Sequence, residues 1–331
     1  MSEAANIDFV TNTGGNISGG FVAQQLMRNG FNINALRTND TLRKDEWKLY
    51  DTAIVSIAKT RLIGVADLMS RGLSMKLPNA LGVTRLEWET DTDMTPASVG
   101  MSGIQRGQDD RIEFSMTGIP IPIIYKDFTL NIRHLEASRR SGQPLDTRMA
   151  EKAGRSVSEK IEDILWNGYA GLGTNNIVYG YTTAAQRNTY TLTGNWGTTA
   201  TGAQMLADVQ AMIAKAFDDH MYGPFMIYCS INAGINLDND FKVNGDKTIR
   251  ERILQVEGIA GIRSTANLAN NQVLLVQMTP DVVQMIDGIQ PTMVQWDSHS
   301  GMVTNFKILA IMLPRFRNDS EGQSGIVHGS I

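Results

Sequence analysis

A row of acidic side chains near residue 90 offers the most obvious chemistry in this sequence. Glu87, Glu89, Asp91 and Asp93 alternate with other residues, so they would share one face of a strand. Aligned carboxylates could bind Ca²⁺ or supply a general acid and base. Carboxylates on one strand, however, diverge by about 7 Å per step, and Pro96 stands where a calcium loop needs glycine. We therefore expect a solvated or ion-paired strand face.

The residues most often used as metal ligands or nucleophiles form no recognisable constellation. None of the four histidines belongs to a helical two-histidine pair, which metalloproteases require. His134 beside Glu136 is typical of an ordinary surface. Cys229 is the single cysteine, so neither an internal disulfide nor a thiolate zinc cluster can form, and a reducing compartment is the simplest setting. Its apolar surroundings, Phe225 to Cys229, predict a buried hydrophobe.

Two short motifs resemble catalytic signatures, but the residues around them do not match the rest of those signatures. Ser56 to Lys59 matches an acylation pattern but lacks its companion motifs. Gly168 to Gly173 resembles a phosphate loop, yet it follows a predicted helix and no Lys-Ser/Thr pair comes after it. Turn-forming glycines are the simpler interpretation. We expect no catalytic residue, no metal, no cofactor, and a protein that is not an enzyme.

The composition narrows the class of protein further. The chain has 331 residues, with 30 Lys and Arg against 34 Asp and Glu, giving a net charge of −4. A dedicated nucleic-acid binder would normally be strongly basic. Residues 1–10 show no signal peptide, and no apolar stretch approaches the roughly 20 residues of a membrane span. The sequence therefore predicts a soluble chain that is long enough to bury a hydrophobic core without disulfide bonds or a structural metal.

Hydrophobic periodicity predicts helices and strands in an irregular order, typical of an α+β fold. One helix is expected from Thr41 to Arg71 and a longer one from Pro144 to Asn167, ended by Gly168. Between them, 84–118 reads as a β-hairpin with a wide loop. The remaining predicted elements are a helix over 203–217, a strand over 225–231, a helix over about 248–257, and strands over 273–278, 282–286 and 305–316.

Two features suggest that neighbouring molecules complete the fold. The alternation of the hairpin predicts one apolar face carrying Trp88, Ile112, Phe114 and Met116, and an isolated two-stranded hairpin is marginal in water. Residues 1–40 are rich in Asn and Gly, which disfavours a core of their own. The same segment nevertheless carries apolar side chains, among them Phe9, Ile17, Phe21 and Phe31. This mixture favours self-assembly over catalysis.

The order of these elements resembles the major capsid proteins of tailed bacteriophages with the Hong Kong 97-type fold, close to the encapsulin-like branch. The segments that carry the resemblance are Asp45-Glu46-Trp47 through Asp67-Leu68, Pro144 through Tyr169, Gly171-Leu172-Gly173, Tyr222-Gly223-Pro224-Phe225 and Pro314-Arg315-Phe316-Arg317. None of them is diagnostic alone. Their order and spacing together are specific, from about Asp45 to His328.

The resemblance implies a division of the chain into named parts. These are an N-terminal arm (1–45), a first part of the P-domain (46–83), an E-loop hairpin (84–118), a second part of the P-domain (119–197) with a spine helix at 144–167, an A-domain (198–292), and a C-terminal P-domain strand (293–331).

The implied function is that of a major capsid protein whose hexamers and pentamers form an icosahedral head shell. Such a shell would enclose double-stranded DNA without sequence-specific binding and would have no membrane. Assembly would take place in the host cytoplasm, with portal, scaffolding or decoration proteins as partners. The alternative is an encapsulin nanocompartment shell that packages a cargo enzyme. Encapsulins proper are shorter and lack so long an arm, which favours the virus.

The resemblance also implies where subunits touch. The predicted E-loop contacts are Glu87, Trp88, Glu89, Ile112, Phe114 and Met116, the predicted arm contacts are Phe9, Ile17, Phe21 and Phe31, and the possible basic partners are Arg139 and Arg140. Some relatives crosslink their subunits through an isopeptide bond from an E-loop lysine. Residues 77–125 contain no lysine, so we do not expect that crosslink here. Others carry a long scaffolding region, whereas this arm is short, implying a separate scaffolding protein or none.

Overall fold

Two sheets, a separate β-hairpin and helices on both sides of one sheet make up the α+β fold. The computed structural model describes residues 50, 52–54, 62–91, 99, 101, 114–131, 133, 137, 140, 147–173, 176–242, 247–298, 303–318 and 322–331.

The helices are α1 (Gly64–Ser70), α2 (Arg148–Asn167), α3 (Gly202–Asp218), α4 (Ile231–Leu237) and α5 (Ile249–Leu254), with a short 3-10 turn at Ala80–Gly82. The strands are β1 (Ser74–Lys76), β2 (Arg85–Asp91), β3 (Phe114–Pro120), β4 (Ile124–Asn131), β5 (Asn188–Thr191), β6 (Phe225–Ser230), β7 (Ile259–Thr265), β8 (Gln272–Gln277), β9 (Val283–Ser298), β10 (Val303–Phe316) and β11 (Ile326–Ser330).

The four-stranded sheet has the order β1-β9-β10-β4 and is dominated by the long antiparallel pair β9 and β10. One of its faces packs against α2. On that face the rings of Phe128 and Phe306 stack at 5.0 Å, and Tyr50 lies 6.0 Å from Phe306. The predicted strand over 305–316 is confirmed as part of β10.

The five-stranded sheet has the order β5-β11-β8-β6-β7. Every residue of β6 is buried, because both faces of the sheet are covered. Tyr228 and Leu274 point into the core shared with α2, whereas Ile227 and Leu275 point into a second core shared with α3. The described residues therefore form two hydrophobic cores, and this sheet separates them.

Helix α2 confirms the C-terminal end of the long helix expected from the sequence. It ends at Asn167, and Gly168 follows with a φ of 74°, a backbone conformation that glycine adopts without steric cost. A Cβ atom at Gly168 would also clash with the carbonyl oxygen of Val178. The glycine thus ends the helix and permits a close crossing of the chain; residues 144–146 lie outside the described residues.

The single helix expected over 41–71 is wrong at its C-terminal end, because Leu62 and Ile63 are not helical and α1 begins anew at Gly64. The cause is a buried carboxylate on α2. Glu162 accepts hydrogen bonds from the backbone N–H of Gly64 at 2.7 Å and of Val65 at 3.3 Å. Free N–H groups at a helix start need acceptors, so α2 fixes where α1 begins.

Glu162 is 4% exposed, and its Oε1 also accepts from the indole N–H of Trp166 at 2.9 Å. Burial raises the pKa of this carboxyl, while the hydrogen bonds from Gly64, Trp166 and Val65 act in the opposite direction. The two donors from Gly64 and Val65 hold α1 against α2, and the donor from Trp166, on α2 itself, orients the same carboxylate.

Helix α1 is also tied to the five-stranded sheet through Asp67. The carboxylate of Asp67 accepts from the hydroxyl of Tyr228 on β6 at 3.2 Å and pairs with the guanidinium of Arg263 on β7 at 2.9 Å. Helix α1 therefore bridges α2 and the five-stranded sheet.

The sheets do not follow the predicted domain limits at two points. Strand β9 crosses the predicted boundary between residues 292 and 293, and β11 pairs with β8 and β5 in the five-stranded sheet, outside the predicted 198–292 segment. The division into P-domain and A-domain stays a prediction.

Replacing Glu162 by Ala should destabilise the fold because buried N–H donors lose their acceptor. We expect Glu162→Ala to lower the free energy of unfolding by about 2–4 kcal/mol, measured by urea denaturation of unassembled protein. Glu159→Ala is the matched control on the same helix, since Glu159 forms an exposed pair with Arg155 at 2.7 Å and such pairs contribute less than about 1 kcal/mol. An equal decrease in the free energy of unfolding in the two variants would contradict the proposed role of Glu162 in holding α1 against α2.

Candidate functional site

The candidate site is the hairpin formed by β2 and β3, which the sequence predicted correctly as an antiparallel pair. The two strands form a sheet of their own. Leu86 lies opposite Ile119, Trp88 opposite Thr117 and Glu89 opposite Met116. The wide tip of the loop, 92–113, falls almost wholly outside the described residues.

The register corrects the predicted apolar face. Residues directly opposite each other in an antiparallel pair point to the same side, so Met116 shares its face with Glu89, and the backbone position of Phe114 shares the face of Asp91. Trp88 belongs to the other face, with Leu86 and Ile119. Ile119 is 7% exposed, and its burial fixes which face turns inward. The residue pattern of one strand does not reveal which residues of the other strand lie opposite it.

The outer face of the hairpin, defined by Glu87, Glu89 and Met116, points to solvent. Both carboxylates are exposed, and the side chain of Met116 is 65% exposed. Glu87 pairs with Arg85 at 3.0 Å, as expected for an ion-paired strand face. In the single chain this face is covered by none of the described residues.

The inner face of the hairpin, defined by Leu86, Trp88, Thr90 and Ile119, turns toward the body of the same chain. The guanidinium of Arg315 lies 4.6 Å from the ring centre of Trp88, a cation–π contact. The hydroxyls of Thr90 and Ser115 lie 2.7 Å apart and link the strands. Trp88 therefore contacts its own chain through Arg315, and its predicted contact with a neighbouring copy stays a prediction.

A cavity of about 320 Å³ separates this inner face from the body. The residues that line it are Trp88, Thr90, Ser115, Thr117, Gly118, Ile119, Tyr179, Ala184, Ala185, Gln186, Arg187, Pro314, Phe316, Arg317, Asn318, Ser324 and Ile326. Two arginines and no carboxylate stand among these described residues, so the cavity wall is cationic.

Two arginines near the inner face of the hairpin, Arg187 in the cavity wall and Arg315 beside Trp88, donate to neutral acceptors. Arg187 donates to Nδ1 of His328 at 3.2 Å and to the carbonyl oxygen of Ala184 at 2.8 Å. Burial, followed by the charge of Arg187, lowers the pKa of His328. Arg315, which contacts Trp88 but is not among the residues that line the cavity, is 9% exposed and donates to Oε1 of Gln284 at 3.4 Å, and burial lowers its pKa. Neither arginine was identified from the sequence as part of the site, because only the tertiary structure brings 187 and 315 to the hairpin.

The other predicted contact residues lie largely beyond the described part of the chain. Ile112, Arg139 and the arm residues Phe9, Ile17, Phe21 and Phe31 are outside it, as is the side chain of Phe114. Arg140 is described and exposed. The contact roles predicted for all of these residues stay predictions.

Two expectations about individual residues are confirmed. Cys229 is fully buried in β6, and burial raises the pKa of its thiol, as expected for a hydrophobe. Gly168 and Gly173 have positive φ values of 74° and 104°, typical of turn-forming glycines. Among the described residues, no three His, Cys, Asp or Glu side chains are grouped to hold a metal ion, and no helix is both long and apolar enough to cross a membrane.

Comparison with solved structures defines the class of fold. The virus-like particle from Pyrococcus furiosus superposes with a TM-score of 0.60 at 17% identity, covering 85% of this chain and 98% of that one. The capsid of Myoviridae phage XM1 superposes with a TM-score of 0.62 at 10% identity, covering 80% and 91%. The chain has the α+β fold of Hong Kong 97-type capsid proteins.

Sequence comparison then gives the family. The chain belongs to the family described as "Family of unknown function (DUF6260)", whose model matches residues 34–329. It is also 26% identical over 234 residues to the type 1 encapsulin shell protein EncA of Myxococcus xanthus (strain DK1622), a match that covers 70% of this chain and 73% of that protein. The predicted resemblance to capsid proteins close to the encapsulin branch is confirmed.

The two faces of the hairpin should respond differently to truncation. Trp88→Ala removes the contact with Arg315, worth about 1 kcal/mol or more when partly desolvated. We expect backbone amides of β2 and β3 to exchange hydrogen several-fold faster in unassembled protein. Met116→Ala, on the opposite face, should leave these rates near those of the wild type. A larger effect from Met116→Ala would contradict the observed register.

Proposed function

We propose that this chain is a structural subunit, without enzymatic activity, that self-assembles into a closed icosahedral shell. The observation that carries the proposal is the outer face of the hairpin. Its two strands form a separate sheet, which is marginal unless another surface covers it. The inner face finds that surface in its own chain, whereas Met116 remains 65% exposed. A neighbouring copy would cover it.

Further exposed apolar side chains support contacts between copies. Ile231 and Ile235, one turn apart on α4, are 51% and 62% exposed. Phe217 and Tyr222 are exposed with their rings 5.6 Å apart, and they precede β6 whereas α4 follows it. These two apolar patches lie at opposite ends of β6, roughly 20 Å apart. Two different patches on one subunit allow head-to-tail contacts between copies, and such contacts can close into rings. Each contact would bury on the order of 1,000 Å².

For the content of the shell, we propose double-stranded DNA of a tailed bacteriophage, with this chain as the major capsid protein of the virion. The similarity to the phage XM1 capsid supports this assignment. The proposed partners are other copies in hexamers and pentamers, together with portal, scaffolding or decoration proteins. The net charge of −4 is compatible with a shell that binds the enclosed DNA only weakly.

An encapsulin nanocompartment that packages a cargo enzyme is the second candidate. A specific observation favours it, namely the 26% identity over 70% of the chain to an encapsulin shell protein. The two candidates share the fold and the mode of assembly, and they differ only in what the shell encloses.

Expression of the full chain tests the proposal directly. We expect closed particles in electron micrographs and little free chain of 36.4 kDa in size-exclusion chromatography. Particles purified from the natural source should contain DNA that resists nuclease if the chain is a phage capsid, and a co-purifying enzyme if it is an encapsulin. A protein that stays monomeric at every concentration and salt level tested would refute shell formation.

Reversing the charge of the outer face should weaken assembly. Glu87→Lys with Glu89→Lys places cations where we expect a basic partner surface, such as that of Arg140 on a neighbour. Like-charge contacts cost several kcal/mol, so the concentration needed for assembly should rise at least about tenfold at low salt. The defect should shrink at high salt because exposed charges are screened.

The control for that experiment carries the same change of net charge elsewhere. Asp240 and Asp281 are exposed and lie outside the hairpin, so Asp240→Lys with Asp281→Lys should assemble near the wild-type concentration. Assembly that is indifferent to reversal at Glu87 and Glu89 would overturn the proposed contact.

A further inference from the structure

The outer face of the hairpin places an unpaired charge beside an exposed apolar side chain. Glu89 is exposed and forms no ion pair within the described part of the chain, whereas Glu87 on the same face is held by Arg85. Met116 lies directly opposite Glu89 on β3 and is 65% exposed. Residues opposite each other in an antiparallel pair have Cβ atoms about 5 Å apart. The face therefore presents a free carboxylate and a thioether side by side.

Helix α2 presents the opposite charge beside the same type of side chain. Met149 is 53% exposed. Lys152 lies three positions further along the helix, exposed and without an ion pair among the described residues. Side chains three positions apart on a helix are neighbours, with Cβ atoms about 5–6 Å apart. Met149 and Lys152 therefore have nearly the same spacing as Met116 and Glu89 on the hairpin.

This combination occurs at one place on the five helices α1 to α5. The other exposed large hydrophobic side chains of these helices are Phe217, Ile231, Ile235 and Leu254. In the described part of the chain, none of them has an unpaired lysine or arginine one turn away on its own helix. Arg250, one turn before Leu254, pairs with Asp238 at 2.6 Å. Among these helices, the N-terminal half of α2 is therefore the surface that matches the outer face of the hairpin in both charge and apolar character.

A second lysine adds positive charge on this side of the four-stranded sheet. Lys126 on β4 is exposed and has no ion-pair partner among the described residues. By the alternation of a strand it shares the side of Ile124, which lines a groove against α2. The carboxylate of Glu151, next to Lys152 in the sequence, already accepts from the hydroxyl of Thr147 at 2.6 Å. Two lysines without a counter-charge favour an acidic partner surface.

The two matching surfaces belong to different copies of the chain. The inner face of the hairpin is turned toward its own chain through the contact of Trp88 with Arg315, so the outer face is turned away from it. A second copy carries the matching surface on its own α2. Each copy then contacts one neighbour through its hairpin and another through its helix. This is a head-to-tail contact, which can close into rings.

We propose that the outer face of the hairpin binds the N-terminal half of α2 on a second copy, with Glu89 against Lys152 and Met116 against Met149. This inference rests on the proposed self-assembly and names the surface that covers the outer face. The ion pair selects the partner surface and fixes the register of the contact. The two methionines adapt to each other's shape because their side chains are flexible and unbranched.

A charge exchange in the full chain tests the pairing of Glu89 with Lys152. Glu89→Lys alone and Lys152→Glu alone each bring like charges together, so the concentration needed for assembly at low salt should rise roughly fivefold, the upper range for one exposed ion pair. The variant that combines both changes restores opposite charges and should assemble near the wild-type concentration. Glu89→Lys with Lys247→Glu is the matched control and should keep the defect, since Lys247 is exposed and lies outside α2.

The outcomes separate this contact from shell formation itself. Recovery of assembly in the combined variant, without recovery in the control, supports the contact. Particles of the wild type with no recovery in the combined variant would refute the pairing and leave the proposed function standing. A wild-type chain that forms no particles would refute the proposed function and this contact with it.

Disulfide trapping in assembled particles provides a second readout that does not depend on charge. Met116→Cys with Met149→Cys places one thiol on each surface, and the native Cys229 is buried and does not compete. Under mild oxidation we expect a ladder of disulfide-linked multimers on a non-reducing denaturing gel. Met116→Cys with Ile235→Cys, which uses an exposed position on α4, is the control and should give no ladder. A cyclised monomer, or monomer alone, would overturn the proposed contact between copies.

Discussion

The fold depends on one buried carboxylate that holds a short helix between two sheets. Glu162 accepts from the first N–H groups of α1 and from Trp166, and Asp67 on α1 accepts from Tyr228 and pairs with Arg263. A buried charge is costly unless its hydrogen bonds are satisfied. The geometry around Glu162 is therefore tightly specified, and these contacts join α2, α1 and the five-stranded sheet. The proposed shell subunit would need this rigidity, because its contact surfaces would have to keep fixed relative angles.

The two faces of the hairpin have different surroundings in the single chain. Its inner face is held by the contact between Trp88 and Arg315, and its outer face leaves Met116 and two carboxylates in solvent. An element that is anchored on one side can present its other side at low entropic cost, because its conformation is already fixed. Assembly by such surfaces distributes the binding energy over many modest contacts, which is compatible with a closed shell.

Much of the secondary structure could be predicted because helices and strands leave periodic patterns in the sequence. The end of α2 at Gly168, the helix at Gly202–Asp218 and the strand at Phe225–Ser230 were all accessible in this way. The contact residues were harder to predict. Trp88 and Met116 were assigned to one face because each strand was considered alone, and the pairing of the two strands reverses that assignment.

By itself, the sequence determined the order of the elements, the burial of Cys229 and the acidity of the hairpin, since these follow from residue types and short-range spacing. It also carried enough of that order for the fold to be recognised. Only the tertiary structure determined the register of the strands, the interruption of the predicted helix before Gly64, and the positions of Arg187 and Arg315 close to the hairpin. The physical reason is distance along the chain: Glu162 lies 98 positions from Gly64, and no local pattern encodes which distant partner will satisfy a buried polar group.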